Sequence, residues 1–269
     1  MIYLKRLILL FIIITACQSF GLLTIWSSIN NDLKEVSAVE LDLNNELLWV
    51  IEDAGNSNSL IGLNKKGAIL KTIIISNAKN NDWEDLTSDE EGNIYIGDFG
   101  NNNEKRKKFM IYKINHADLT KNSALAETIE FNLPKGEDSK DFESFFLFND
   151  FFYIFSKETK QFIVLKVPNK TGKHRAEITS EFNLNGKNNK ITSAAISQDG
   201  KTVVLLNHDK LWKLSNFEKD DFFSGNISEI KFEHHSQKEG ICFKTANEVI
   251  ITDERKGSEG GNIYSFKLN

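Results

Sequence analysis

Cysteine is scarce in this sequence, because the 269 residues include only Cys17 and Cys242. Cys17 ends an apolar N-terminal run, a position at which we expect it to be acylated. Cys242 is then the one cysteine left, so no intramolecular disulfide can form. Cys242 stands between Ile241 and Phe243, and these immediate neighbours supply no base. We therefore expect Cys242 to be a small buried side chain rather than a nucleophile.

An apolar run long enough to span a bilayer is also missing. The run at residues 7–14 follows Lys5 and Arg6 and is too short for a membrane helix, which predicts a signal peptide over residues 1–16. It ends in Ile14-Thr15-Ala16-Cys17, which matches the lipobox of bacterial lipoproteins, where the cysteine is acylated and becomes the new N-terminus. We predict a lipidated Cys17, a short tether over residues 17–20 and one domain over residues 21–269. The alternative is cleavage after a small residue, with Cys17 incidental.

Positive charge is not in excess either. The formal net charge is −5, with acidic and basic residues mixed throughout, so nucleic acid is not an expected partner. The chain has no Gly-x-Ser-x-Gly, phosphate-loop or dinucleotide motif. His234 and His235 lack the spaced partners of a zinc motif. The basic run at residues 105–108 is typical of a solvated loop tip, and contact with anionic lipid or polysaccharide is the other interpretation.

Helical periodicity is absent, and a β repeat takes its place. Apolar residues come in runs of four to eight, rich in Ile, Val, Phe and Tyr and separated by Gly, Asn, Asp and Ser. A strand–turn–strand–loop–strand pattern recurs five times. Its aligned positions are Ser37, Glu84, Glu143, Ser193 and Glu239, which are 47, 59, 50 and 46 residues apart. This period predicts an all-β fold, a β-propeller of five four-stranded blades.

The outer strands predict how the ring closes. A fourth strand follows the first four repeats, at residues 69–75, 127–133, 177–184 and 227–232, but the fifth repeat has none. Residues 21–26 can supply it from the N-terminus, which removes two exposed sheet edges. Six blades remain the alternative if residues 115–141 contain irregular strands.

The repeat alignment also predicts a functional surface at one end of the central channel. The first strand of each blade starts on the face where the second strand ends, so two sets of side chains should meet there. The first set is the five aligned positions; the second is Asp53, Asp98, Lys157, His208 and Glu254. Converging carboxylates favour a hard cation such as calcium, with Glu84, Glu143 and Glu239 as candidate ligands, or a polyhydroxylated or cationic ligand.

A structural role for these glutamates is an equal alternative. They can accept hydrogen bonds from backbone N–H groups of neighbouring blades and so lock the ring. The Gly- and Asn-rich loops after Asp53 and Asp98 are turn formers, although they can also present polar groups to a ligand.

Several segments resemble a largely uncharacterised family of secreted propeller proteins common in Bacteroidetes. They are residues 49–56, Asp82-Trp83-Glu84-Asp85-Leu86, residues 94–102, residues 191–194 and residues 237–241. The resemblance spans about residues 35–268, and more distantly the chain looks like the SdiA-regulated and phytase-like propellers. It implies export and a propeller but supplies no reaction. Ser193-Ala194-Ala195 stands where the family has Gly-Ala-Asp, so a shared metal site is not implied.

These observations predict an exported, monomeric propeller anchored in the bilayer through acylated Cys17, in the outer membrane facing the periplasm. The functional surface at the end of the channel would bind a ligand, with calcium as the candidate cation. Two alternatives stay open: a calcium-dependent hydrolase of phosphoesters, esters or lactones, and a protein-interaction scaffold of the envelope. The catalytic residues of such a hydrolase are unknown from the sequence.

Overall fold

A computed structural model describes residues 20–42, 45–184 and 186–268, with side chains from residue 22 onward. The predicted signal peptide and Cys17 lie outside these residues. Within them the chain is all-β apart from one 3₁₀ turn, His116–Asp118. None of the described helical segments is long and apolar enough to cross a membrane.

The strands form five blades, each with four antiparallel strands. In blades 1 to 4 these run in sequence from the channel outward, and in blade 5 the outermost strand comes from the N-terminus. Blade 1 contains Val36–Leu41, Leu48–Glu52, Ser59–Leu63 and Ile69–Ile75. Blade 2 contains Trp83–Ser88, Ile94–Asp98, Phe109–Ile114 and Glu127–Asn132. Blade 3 contains Phe142–Phe148, Phe151–Ser156, Gln161–Pro168 and Glu177–Asn183. Blade 4 contains Ser193–Ile196, Thr202–Leu206, Lys210–Ser215 and Asn226–Phe232. Blade 5 contains Lys238–Thr245, Glu248–Asp253, Asn262–Lys267 and, outermost, Thr24–Ser28.

The N-terminal segment closes the ring as predicted, at slightly different residues. Thr24–Ser28 pairs antiparallel with Asn262–Lys267 and completes blade 5. The preceding Phe20–Gly21 instead pairs parallel with the outer strand of blade 4. The predicted strand at residues 21–26 is therefore two short strands on neighbouring blades.

Residues 115–141 do not form a sixth blade. They contain the 3₁₀ turn, the outer strand of blade 2, and Ser123–Ala124, which pairs parallel with Ile69–Ile75 of blade 1. A similar added strand, Gly172–Arg175, lies along the edge of blade 2, and a small hairpin pairs Arg255–Lys256 with Glu259–Gly260. The added strands cover outer edges that would otherwise expose unpaired backbone groups.

The core is divided among the five contacts between neighbouring blades. The inner strands touch in a closed circle around the channel, and five apolar clusters each join two adjacent blades. Because side chains alternate along a strand, Trp49 packs toward blade 2 while Val50 packs toward blade 5. The nearly continuous apolar runs in the sequence follow from this burial on both faces.

Candidate functional site

A β-bulge opens the inner strand of four blades and directs one side chain to the channel mouth. The pairing skips one residue between Val36 and Ala38, and it shifts in the same way in blades 2, 3 and 5. The skipped residues are Ser37, Glu84, Glu143 and Glu239. A bulged residue leaves the regular ladder and its side chain is re-aimed. We call the mouth that these residues line the carboxylate funnel.

In blade 4 the equivalent residue is Thr192, one position before the residue that the sequence alignment used. Ser193 pairs with Leu206, so it corresponds to the residue after each bulge. The hydrogen bonds agree: Ser37 Oγ donates to the Trp83 carbonyl at 2.9 Å, and Thr192 Oγ1 donates to the Lys238 carbonyl at 2.8 Å. These two hydroxyls link neighbouring blades rather than face a ligand.

Asp98 is also one position out of register with the predicted set. It pairs with Trp83 just as Glu52 pairs with Val36, so Phe99 follows the strand where Asp53 does in blade 1. A shift of one residue turns a side chain to the other face. Asp98 is fully buried, with Arg106 Nη2 at 2.9 Å and Asn81 Nδ2 at 2.9 Å. Its carboxylate is therefore withdrawn from the funnel surface.

Three carboxylates gather where blades 1 and 2 meet. One oxygen from each of Asp53, Asp82 and Glu84 lies within 4.8 Å of the others. Glu84 is buried, and the other two are half-buried. We call this cluster the carboxylate trio. Asp82 is a member that the repeat alignment missed, although it stands two residues before Glu84, at the spacing that puts alternate residues on one side of an extended chain.

Backbone contacts hold the trio together. Asn80 Nδ2 donates to the carbonyls of Glu52 and Asp53 at 2.8 and 3.0 Å, and Asn80 Oδ1 accepts from the Trp83 amide at 3.1 Å. Asn80 therefore ties the end of the blade 1 strand to the start of the blade 2 strand.

Gly100 provides the space in which the trio lies. A Cβ at this position would stand 1.9 Å from Glu84 Oε1 and 2.5 Å from Asp82 Cγ. Only glycine leaves room for both carboxylates. The Gly100 carbonyl accepts from Arg106 Nη1 at 2.8 Å, which fixes the loop against the cluster.

Burial and mutual repulsion make the trio hard to ionise fully. Burial, and then the negative charge of Asp53, raise the pKa of Asp82 to about 6 even though Arg106 acts in the opposite direction. Burial, and then the charge of Glu143, raise the pKa of Glu84 well above its usual range. The pKa of Asp53 is raised mainly by burial. A bound cation would relieve this repulsion.

Glu143 forms an ion pair with the predicted funnel lysine. Lys157 Nζ lies 2.7 Å from Glu143 Oε1, and both side chains are largely shielded from solvent. Burial raises the pKa of Glu143, and Lys157 partly offsets that effect. Burial disfavours the charge of Lys157, but the charges of Glu143 and Glu239 outweigh it, so the Lys157 pKa is raised. The positive charge therefore stays at this side of the funnel.

Glu239 pairs with the predicted histidine at the next position around the ring. His208 Nε2 lies 3.0 Å from Glu239 Oε1. Half-buried Glu254 completes this side, and burial followed by the charges of Glu239 and Asp53 raises its pKa to about 8. Seven of the eight residues expected to bind a ligand thus lie at the funnel, with Asp98 as the exception.

The predicted metal ligands are separated by these pairings. Glu143 contacts Lys157 and Glu239 contacts His208, so of the three expected ligands Glu84 alone belongs to the trio. Lys157 and His208 already occupy the other two. The sequence could not show this, because Lys157 meets Glu143 only when the strands of blade 3 pair, and His208 meets Glu239 only when blades 4 and 5 pack together.

The ring-locking role expected of the glutamates belongs to Asp85. This fully buried carboxylate accepts hydrogen bonds from the amides of Phe145 and Ala194 at 3.0 and 3.3 Å, and from Ser193 Oγ at 2.9 Å. The Leu86 amide is a fourth donor, at 3.0 Å. Asp85 therefore joins blades 2, 3 and 4 one layer below the funnel.

A cleft of about 970 Å³ lies at the opposite mouth of the channel and is also acidic. Two of its carboxylates, Asp89 and Asp199, are occupied by local partners. Asp89 accepts from the amides of Glu91 and Asn93, and Asp199 accepts from Ser197 Oγ and the Lys201 amide. These contacts are those of hairpin turns, so the funnel is the candidate site.

Comparison with known proteins supports the fold. No protein-family model and no curated protein matches the chain. It is similar to the PQQ-bound form of an aldose sugar dehydrogenase from Streptomyces coelicolor, with a TM-score of 0.56 and 7% identity over 93% of this chain and 99% of that one. It also matches a gluconolactonase from Xanthomonas campestris, with a TM-score of 0.49 and 9% identity over 87% and 72% of the two chains. Identities this low concern the fold and assign no activity.

Proposed function

We propose that the carboxylate funnel binds a divalent cation, best calcium, through Asp53, Asp82 and Glu84, and that the cation helps to hold an oxygen-rich ligand. The observation that carries this proposal is the trio itself. Its oxygens lie within 4.8 Å of one another, and none of the three residues forms an ion pair with a described side chain. Carboxylate oxygens are the ligands that calcium prefers.

The surroundings of the trio fit such a cation. All donor atoms are hard oxygens, and Gly100 keeps the space beside Glu84 and Asp82 open. Lys157, whose charge acts on Glu84, is engaged by Glu143 at 2.7 Å. The negative charge of the trio is thus left for a bound ion to neutralise.

Calorimetric titration of calcium into the metal-stripped, detergent-purified protein tests the proposal. We expect saturable binding that Asp82→Asn abolishes, because this change removes one carboxylate charge without changing size. Glu239→Gln is the matched control, since it alters a funnel carboxylate outside the trio and should leave binding in place. Equal loss in both variants, or no binding by the unaltered protein, contradicts the proposed site.

The pairing of His208 with Glu239 favours hydrolysis as a second candidate function. A cation at the trio would polarise a carbonyl or phosphoryl oxygen of an ester, lactone or phosphoester. His208 is partly exposed, and Glu239 Oε1 lies 3.0 Å from its Nε2. A histidine oriented by a carboxylate can accept a proton from an attacking water. Hydrolysis of a substrate from a panel of these compounds would support this second function if His208→Gln abolishes it while calcium binding persists. If no substrate of the panel is hydrolysed, the result favours ligand binding alone.

We propose further that the protein is exported and anchored by lipid at Cys17, as the N-terminal motif indicates. Globomycin blocks the peptidase that processes such precursors, so treated cells should accumulate the unprocessed form. Cys17→Ser should prevent lipidation and release the protein from the membrane fraction. If the precursor is still processed in the presence of globomycin, the proposed lipid anchor at Cys17 is wrong.

A further inference from the structure

Lys238 is a fully buried lysine directly behind the funnel. Its Nζ donates to the His208 carbonyl at 2.8 Å, to Ser236 Oγ at 3.0 Å and to the His234 carbonyl at 3.2 Å. These three acceptors are uncharged oxygens, and His234 Nδ1 is a longer contact at 3.4 Å. Asp253 and Asp209 act on the ammonium only through space. Burying a cation without a carboxylate partner is costly, so this arrangement calls for a specific explanation.

The bulge of blade 5 places Lys238 and Glu239 on two sides of His208. The pairing shifts between Lys238 and Gly240, which leaves Glu239 outside the ladder and turned to the funnel. Glu239 Oε1 meets the ring of His208 at 3.0 Å, while Lys238 Nζ meets its backbone carbonyl at 2.8 Å. Two consecutive residues of one strand thus contact both ends of His208.

We propose that Lys238 is a positioning residue that fixes His208 against Glu239 and so sets the geometry of the pair at the funnel. The value of this pair to a ligand rests on the proposed function, but its geometry does not. His208 lies in the loop after the second strand of blade 4, on a different blade from Glu239. The ring of His208 can keep its distance to Glu239 only if that loop is held to blade 5, and Lys238 supplies this hold.

A second buried lysine serves as the matched control. Lys210 Nζ contacts the Lys187 carbonyl, Asn189 Oδ1 and, unlike Lys238, a carboxylate, Glu229 at 3.2 Å. None of these contacts involves His208. Lys210→Met therefore removes another buried ammonium, one on blade 4, without touching the pair.

Nuclear magnetic resonance of the histidine ring nitrogens tests the proposal. In labelled, full-length mature protein we expect a protected ring N–H signal from His208, assigned by its disappearance in His208→Gln. Lys238→Met should lose this signal as completely as Glu239→Gln does, while Lys210→Met should keep it. If Lys238→Met does not fold, Lys238→Gln takes its place. The glutamine amide can still donate a hydrogen bond, so the His208 ring signal should be weakened rather than lost.

A folded Lys238 variant that keeps the wild-type signal overturns the proposal, because a merely structural lysine would lower stability without moving the ring. Calcium titration of the same samples separates this result from the proposed function. Lys238→Met should bind calcium as the unaltered protein does, since the trio lies on blades 1 and 2. If no sample binds calcium, the proposed function fails while the ring signal still decides the role of Lys238.

Discussion

Glu84 and Asp85 are chemically similar neighbours, and the backbone gives them different tasks. The bulge turns Glu84 into the funnel, where no described lysine or arginine pairs with it. Asp85 instead points to donors on blades 3 and 4 and also accepts from the amide of its neighbour Leu86, four hydrogen bonds in all. A carboxylate surrounded by donors is a structural link between blades. A carboxylate surrounded by other carboxylates is hard to ionise, and a bound cation would relieve that repulsion.

Replacing Asp85 should therefore cost stability rather than calcium binding. Asp85→Ala would leave the buried amides of Phe145 and Ala194 and the Ser193 hydroxyl without their acceptor, for an expected loss of about 3 kcal/mol or more. Asp85→Asn keeps one acceptor oxygen and should lose less. Urea unfolding measures both. Equal stability of the Ala variant and the unaltered protein would rule out a ring-locking role.

Strand register decided which parts of the site the sequence could predict. The repeat period and the turn residues were sufficient for five blades, and the outer strand predicted at residues 69–75 is Ile69–Ile75 in the structure. The bulges leave no comparable trace in the sequence. A slip of one residue changes the face of a side chain. The sequence therefore places Ser193 and Asp98 at the funnel, whereas in the structure the Ser193 hydroxyl and the Asp98 carboxylate are buried inside the protein.

Side-chain pairings, both within a blade and between blades, were equally hidden. Lys157 and Glu143 were predicted to lie near each other, but their ion pair and the His208–Glu239 contact depend on side-chain positions. Arg106 is a further case. It belongs to the basic run predicted as a solvated tip, yet it is largely shielded and pairs with buried Asp98.

From this position the guanidinium of Arg106 helps to hold the loop of residues 98–106. Arg106 donates to the carbonyls of Gly100 and Asp98 as well as to the Asp98 carboxylate. Arg106→Met would leave that buried carboxylate without its ion-pair partner, at an expected cost of about 3 kcal/mol. It should also weaken calcium binding, because the Gly100 carbonyl loses the donor that fixes it beside Glu84 and Asp82. Lys107→Met, an exposed neighbour in the same run, should change stability by less than about 0.5 kcal/mol. Similar melting temperatures for the two variants would contradict this role.

Over the whole molecule, half-buried carboxylates stand at both mouths of one channel. Glu40 at the far mouth accepts from Ser88 Oγ, and burial raises its pKa to about 7. At the funnel, Asp82 and Glu254 have pKa values raised to about 6 and about 8. Five blades that bring their strand ends together necessarily concentrate whatever charge those ends carry.

These raised pKa values predict how the stability of the cation-free protein depends on pH. Each such carboxyl holds its proton more tightly when folded than when unfolded, so the folded state binds more protons between about pH 4.5 and 8. The free energy of unfolding must then fall as pH rises through this window. Without calcium, the melting temperature should be higher near pH 5 than near pH 8.

Calcium should reverse the part of this loss that comes from the trio. At pH 8 the ion meets ionised carboxylates whose repulsion it removes, whereas near pH 5 it must displace protons from Asp82 and Glu84. The rise in melting temperature on adding calcium should therefore be larger at pH 8, and Asp82→Asn should abolish it. Glu40→Gln should flatten the pH dependence without changing the calcium response, because Glu40 lies at the opposite mouth. A calcium response that is equal at the two pH values, or one that Glu40→Gln removes, would place the cation elsewhere than at Asp53, Asp82 and Glu84.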